Sequence, residues 1–204
     1  QGQSSRSLAR LLSAVRGLAA IFNLKTYTVT ATAGTGGTIS PPSRNVAHGD
    51  TATFTITPGT GYSIGTVSGC GGNLVGNTYT TGPITAPCRV SARFVPQVTV
   101  VATDNVATEK GLTTGTYTFT RTGATTSALT VSYRVTGTAT AGQDYQALGT
   151  SVIFPVGASQ VTKTLVPLQD TLVERAETVI LTLLPRAAYA LGNPASARII
   201  LRSD

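Results

Sequence analysis

The chain has 204 residues, of which 41% are hydrophobic and 11% are charged, and this balance excludes an intrinsically disordered protein. Its 37 threonines and 22 glycines favour an all-β protein with one large or two small domains, and they argue against a helical enzyme. The net charge of +7 lies mostly in residues 1–97, but the basic residues there are scattered singly, so we expect no specific nucleic-acid partner.

The first predicted element is an amphipathic helix, which we place with its linker in residues 1–25. Its apolar side chains recur at helical spacing, while arginines take other positions around the helix. We expect this apolar stripe to pack on a β-domain of the same chain, on another copy of the chain, or on a membrane surface. The apolar run is too short for a transmembrane span. The candidate assembly residues are Leu8, Leu11, Leu12, Val15, Leu18 and Phe22.

From Thr26 onward the periodicity changes from helical to alternating. Threonine occupies every second position from Thr26 to Thr32, and less polar residues lie between the threonines. The same alternation recurs in residues 51–57 and 116–120. It predicts antiparallel strands that bury one face and expose a threonine-rich face to solvent.

Two cysteines, Cys70 and Cys88, enclose a short loop within this threonine-rich region. The setting favours a disulfide, which would stabilise the fold by about 3 kcal/mol, over two reduced cysteines. A disulfide indicates an oxidising compartment, so we expect an extracellular or cell-surface location. Because the chain begins at Gln1 and not at a methionine, we also expect a mature product or a fragment.

The same region carries recognisable motifs, among them GTISP at residues 37–41 and GCGG at residues 69–72. With these motifs, residues 27–95 resemble the divergent internalin-type B-repeat modules of bacterial surface proteins. The resemblance implies a compact β-module with a structural or adhesive role. We place this module at residues 26–96, since a proline after a completed strand marks a domain boundary at Pro96.

The remaining residues, 97–204, carry a second set of motifs, TYTFTR at residues 116–121 and GTATAGQDY at residues 137–145. With them, residues 98–204 resemble a Calx-beta domain, the immunoglobulin-like sandwich of sodium–calcium exchangers and of many bacterial adhesins. The expected fold class is therefore all-β, with two β-sandwich-like domains. A small disulfide-closed module is followed by a Calx-beta sandwich, and the N-terminal helix precedes both.

The resemblance to Calx-beta domains also implies a calcium site, since members of this family that bind calcium gather carboxylates at one end of the sandwich. The sequence departs from the family pattern, because Gln169 replaces a usual aspartate and LRSD at residues 201–204 replaces the usual acidic tail. An alternative is that Glu174 and Glu177 are solvated carboxylates that pair with arginines. The candidate ligands are Glu109, Asp144, Asp170, Glu174 and Glu177, with Asp204 as a further candidate.

Residues of the kind that enzymes use are scarce. His48 is the only histidine and lies in a predicted turn, and two cysteines with one histidine cannot form a zinc site in one chain. The glycine-rich run at residues 34–37 lacks the lysine of a phosphate-binding loop. We therefore expect no catalytic residues and a protein that is not an enzyme.

These observations favour a non-catalytic extracellular surface, adhesion or spacer protein of bacteria, built of β-modules. One alternative is a self-assembling subunit of an extracellular fibre or pilus-like filament, joined through the N-terminal helix. Another is a calcium-regulated binding module. The expected partners are other surface proteins, polysaccharide or copies of the chain, and calcium is the only cofactor implied.

Overall fold

The computed structural model describes residues 24–169 and 174–202, and every regular element within these ranges is a β-strand. The all-β class predicted from the threonine content is confirmed for this part of the chain. The predicted N-terminal helix lies outside it, as do its six apolar residues, from Leu8 to Phe22, so their assembly role stays a prediction. Within the described ranges, no helix has the length and apolarity needed to cross a membrane.

Sixteen strands make up the described fold, and they form three sheets. Most strands alternate between buried and exposed residues, as the period-two pattern predicts. In chain order the strands are β1 (Thr26–Ala33), β2 (Gly37–Ser40), β3 (Ser43–Ala47), β4 (Thr53–Pro58), β5 (Tyr62–Ser68), β6 (Asn73–Val75), β7 (Thr78–Thr80), β8 (Cys88–Asp104), β9 (Val106–Thr108), β10 (Gly115–Arg121), β11 (Leu129–Gly137), β12 (Ser151–Phe154), β13 (Gln160–Leu165), β14 (Glu177–Leu183), β15 (Ala190–Leu191) and β16 (Ser196–Arg202).

The largest sheet has seven strands, with β13, β10, β8, β1 and β3 adjacent in that order and with β5 and β15 also paired to β8. A five-stranded sheet follows the order β12-β11-β14-β16-β9, and a four-stranded sheet the order β2-β4-β7-β6. One core forms where β1 and β8 face the four-stranded sheet, and a second where β8 and β10 face the five-stranded sheet. We call the described residues up to Pro96 the N-terminal module and those from Gln97 onward the C-terminal module.

The predicted alternation supplies the side chains of both cores. Phe54 and Ile56 of β4 are buried in the N-terminal module, and Tyr117 and Phe119 of β10 are buried in the C-terminal module. The threonines between them are exposed or half-buried. Burying an aromatic or aliphatic side chain of this size contributes about 1.5–3 kcal/mol each, so the pattern stabilises each module through its inward face.

Strand β8 belongs to both cores, although the sequence predicts that a strand ends at Pro96. Its 17 residues run through the proline, and Val90 packs in the N-terminal core while Val100 packs in the C-terminal core. The predicted strand end is wrong because neighbours continue the pairing, with Pro96 opposite a residue of β5 and Gln97 opposite a residue of β15. Proline keeps an extended backbone and loses only its own N–H donor, so the strand tolerates it.

The cysteine pair forms the disulfide that the sequence predicts. Cys70 follows β5 and Cys88 begins β8, with 5.6 Å between their Cα atoms. The bridge therefore ties the turn after β5 to the strand with which β5 pairs. Tyr79 supports the same turn, because its hydroxyl donates a hydrogen bond to the carbonyl oxygen of Gly69 at 2.7 Å.

Candidate metal centre

Three carboxylates come together at one end of the C-terminal module. Asp144 lies in the connection between β11 and β12, Glu174 precedes β14, and Glu177 is the first residue of β14. One oxygen atom of each lies within 4.8 Å of the others. The fold thus brings together three of the five ligands proposed from the sequence, from two separate segments of the chain.

Asp144 is held by the turn that precedes β12. The backbone N–H of Thr140 donates to Asp144 Oδ2 at 2.6 Å, and the N–H of Asp144 donates back to the carbonyl oxygen of Thr140 at 3.0 Å. The N–H of Leu168 donates to the carbonyl oxygen of Asp144 at 2.8 Å. Only 8% of Asp144 is exposed, so these bonds fix a buried carboxylate at the end of the sandwich.

Glu177 is positioned by the sheet, since its backbone lies opposite Leu201 of β16. Its Oε2 atom is buried and has no hydrogen-bond partner among the described residues. Burial, a hydrogen bond with Asp144 and nearby negative charges together raise the pKa of Glu177 to about 6, and burial has the largest effect. A buried carboxylate oxygen without a donor is costly, and a cation would supply the missing interaction.

The other candidates lie around or outside this cluster. Glu109 follows β9 and is only 3% exposed, and its backbone N–H donates to the carbonyl oxygen of Arg202 at 2.9 Å. Its charge is one of those that raise the pKa of Glu177, so it contributes to the negative field of the cluster. Asp170 and Asp204 lie outside the described residues.

The donor set fits a hard divalent cation. Carboxylate oxygens are the ligands that calcium prefers, and calcium accepts six to eight oxygens in flexible arrangements. Zinc prefers nitrogen and sulfur ligands, and both cysteines of this chain are in the disulfide. Three close carboxylates, one of them with an orphaned oxygen, are donors suited to holding such a cation.

Two features of the C-terminal module, one in the acidic cluster and one away from it, were not predicted from the sequence. The hydrogen bond from Thr140 to Asp144 could have been found, because an aspartate four residues after a threonine in a glycine-containing turn is a typical local capping pattern. The burial of Arg121, at 3% exposure, was also missed. This burial could have been predicted, because Arg121 lies two residues after Phe119 and therefore on the same, inward face of β10.

Two family models match the chain. The model described as Calx-beta domain matches residues 96–204, and the model described as divergent InlB B-repeat domain matches residues 27–98. Both resemblances found in the sequence are thereby confirmed, in the same order along the chain. No curated protein matches the chain.

Solved structures that are similar to this chain include the calcium binding domain CBD12 of CALX1.1, with 21% sequence identity, a TM-score of 0.44, and coverage of 52% of this chain and 44% of that one. CBD12 from CALX1.2 has 18% identity and a TM-score of 0.45, covering 53% of this chain and 45% of that one. The apo-form Calx CBD1 domain has 21% identity and a TM-score of 0.44, and the match covers 52% of this chain and 97% of that one. The chain spans less than half the length of the first two structures.

Proposed function

The chain belongs to the Calx-beta family, and from this premise we propose that it is a non-catalytic β-module protein of bacterial cell surfaces whose C-terminal module binds calcium. The observation that carries the proposal is the convergence of Asp144, Glu174 and Glu177 within 4.8 Å. The buried, unpartnered Oε2 of Glu177 adds to it, since an orphaned oxygen in an acidic cluster is suited to a cation.

In this proposal Asp144, Glu174 and Glu177 hold the ion, and Glu109 strengthens the negative field around it. Calcium, when bound, supplies positive charge that offsets the repulsion between the carboxylates. Asp144 lies in the connection between β11 and β12, and the two glutamates lie just before and at the start of β14, so the ion would tie these two segments together. Binding should therefore stabilise the folded module over the unfolded chain.

The surface role is supported by three features of the N-terminal half. Residues 27–98 match a divergent InlB B-repeat domain, a module type that the sequence resemblance associates with bacterial surface proteins. The Cys70–Cys88 disulfide suits an oxidising exterior. Strand β8 connects the modules without a flexible linker, which suits a spacer that must hold a fixed shape. We propose surface proteins, polysaccharide or copies of the chain as partners.

Thermal unfolding of the full chain, in calcium and in chelator, tests the calcium site. We expect calcium to raise the melting temperature of the wild type and not that of Asp144→Asn. Asp50→Asn is the matched control, because Asp50 is an exposed aspartate of the N-terminal module. The proposal fails if calcium leaves the wild-type melting temperature unchanged, or if Asp144→Asn responds as the wild type does.

A further inference from the structure

A cavity of about 330 Å³ lies where the two modules meet, and it shares no residue with the acidic cluster. The N-terminal module contributes Tyr62, Arg93 and Phe94 to its wall, and the C-terminal module contributes Arg121 and residues from the segment before β11.

Arg121 is a buried cation with incomplete hydrogen bonding. Its Nε donates to the carbonyl oxygen of Ala158 and its Nη1 to that of Ser127, both at 2.8 Å. Its guanidinium carbon lies 5.5 Å from the centre of the Phe154 ring. Its Nη2 is buried and has no hydrogen-bond partner among the described residues. A buried guanidinium donor without an acceptor is uncommon in folded proteins, and it indicates a missing partner.

A second arginine contributes charge to the same cavity. Arg93 is exposed, and its Nη1 donates to the carbonyl oxygen of Ala187 at 2.9 Å. A guanidinium carries five N–H donors, so this bond uses only part of what Arg93 offers. No carboxylate is among the described residues that line the cavity, so two positive charges share it without a local counter-charge.

The remaining walls are divided between hydroxyl groups and apolar surface. The hydroxyls come from Thr35, Thr126 and Ser127, and the apolar surface comes from Phe94, Leu129 and three alanines. An inorganic ion would use the arginines but leave the apolar wall uncovered. An organic anion with a ring or short hydrocarbon body would use both, as ligands in apolar pockets with a few polar groups do.

The wall of the cavity is fixed before any ligand binds. Tyr62 accepts a hydrogen bond from the backbone N–H of Ala124 at 2.6 Å, which joins the two modules at the cavity edge. Its ring is confined by Gly36 and Gly123, where an added Cβ would lie 2.4 Å and 2.7 Å from ring atoms. A preformed wall lowers the entropic cost of binding a small molecule.

We propose that this cavity binds a small organic carboxylate, with its carboxylate group beside Arg121 and Arg93 and its body against the apolar wall. Carboxylate oxygens form strong, charge-assisted hydrogen bonds with guanidinium groups. The volume is at the lower end of the range for small-molecule sites, which suits a ligand of about one ring. The site is independent of the calcium proposal, because it uses none of the acidic residues.

Calorimetric titration of the full chain tests this site, with benzoate and glucuronate as carboxylate probes. Benzamide and glucose are the neutral probes, and inorganic phosphate is the inorganic anion. The result expected is saturable binding of a carboxylate probe that is about tenfold or more weaker in Arg93→Gln and in Arg121→Gln. Arg89→Gln is the matched control, because Arg89 is an exposed arginine of the same strand that does not line the cavity.

Arg93→Gln keeps the test valid if Arg121→Gln unfolds, and a thermal melt of each variant identifies that case. The proposal is overturned if neither carboxylate binds at millimolar concentrations, or if Arg93→Gln binds as tightly as the wild type. It is also overturned if phosphate binds as tightly as the carboxylates, or if the neutral probes do, since the site would then not select an organic anion.

Discussion

Tyr62 and Ala124 belong to different modules, and the Tyr62 hydroxyl accepts a hydrogen bond from the Ala124 backbone N–H at 2.6 Å. The neighbouring Thr122 hydroxyl donates to the carbonyl oxygen of Gly61 across the same junction. These bonds add to the continuity of β8, which alone would allow the modules to twist about the strand. The junction is therefore held by side chains as well as by the backbone.

Tyr62→Phe should destabilise the chain by about 1 kcal/mol, because it leaves the N–H of Ala124 without its acceptor. Denaturation in urea, followed by fluorescence or circular dichroism, measures the change. Tyr27→Phe removes a hydroxyl from the N-terminal module away from the junction and serves as the control. Equal stabilities for the two variants would show that the bond across the junction contributes nothing.

Gly123→Ala should destabilise the chain more than Gly149→Ala. Both glycines have a positive φ, +76° and +73°, so both substitutions impose a similar backbone strain. An added Cβ at Gly123 would also meet the Tyr62 ring at 2.7 Å, whereas no atom lies within 4 Å of one added at Gly149. Thermal melts compare the two variants, and equal melting temperatures would contradict the close packing of the ring.

Replacing both cysteines by serine should lower the free energy of unfolding by about 3 kcal/mol, because the unfolded chain gains conformational freedom when the loop between Cys70 and Cys88 opens. Guanidinium denaturation of the double variant, compared with the oxidised wild type, measures this loss. The reduced wild type is the matched control and should lose the same amount. An unchanged midpoint in the double variant would contradict a stabilising role for the bridge.

Glu177 should make the metal-free chain less stable as pH rises from about 4.5 to about 6. Burial, the hydrogen bond with Asp144 and the neighbouring carboxylates raise the pKa of this carboxyl from its usual 4.5 to about 6, so the folded state holds a proton that the unfolded chain releases. The stabilisation is complete below this window and is lost as pH rises through the folded pKa.

Urea denaturation in chelator, at several pH values across that window, checks this expectation. Glu177→Gln imitates the protonated side chain and cannot titrate, so its stability relative to the wild type should increase as pH rises. If the difference in the free energy of unfolding between the wild type and Glu177→Gln does not change with pH, the pKa of Glu177 is not raised in the folded state.

The strands could be predicted from the sequence because threonine alternation reports directly which residues face inward, as with Val29 in β1 and Phe119 in β10. The same rule places Arg121 inward. The sequence does not show, however, which groups form the hydrogen bonds that a buried charged side chain needs. Those groups are the carbonyl oxygen of Ser127, in the turn that follows β10, and that of Ala158, in a loop 37 residues after Arg121, which only the fold brings near.

Strand β8 and the acidic cluster also depend on contacts between residues that are far apart in the sequence. The local sequence at Pro96 predicts the end of a strand. The strand continues because β5 and β15 pair with it on either side of the proline. The family motifs were enough to name Asp144, Glu174 and Glu177 as candidates, because a match to these motifs also implies the fold of the family. Their separation within 4.8 Å follows from the sandwich and not from any local pattern.

We propose that Asp144, Glu174 and Glu177 together hold one calcium ion. Calorimetric titration of the chelator-treated full chain with calcium at neutral pH measures this most directly. We expect saturable binding of calcium that is lost in Asp144→Asn and in Glu177→Gln and is retained in Asp50→Asn. An absence of saturable binding in the wild type, or binding that survives both substitutions in the cluster, would contradict it.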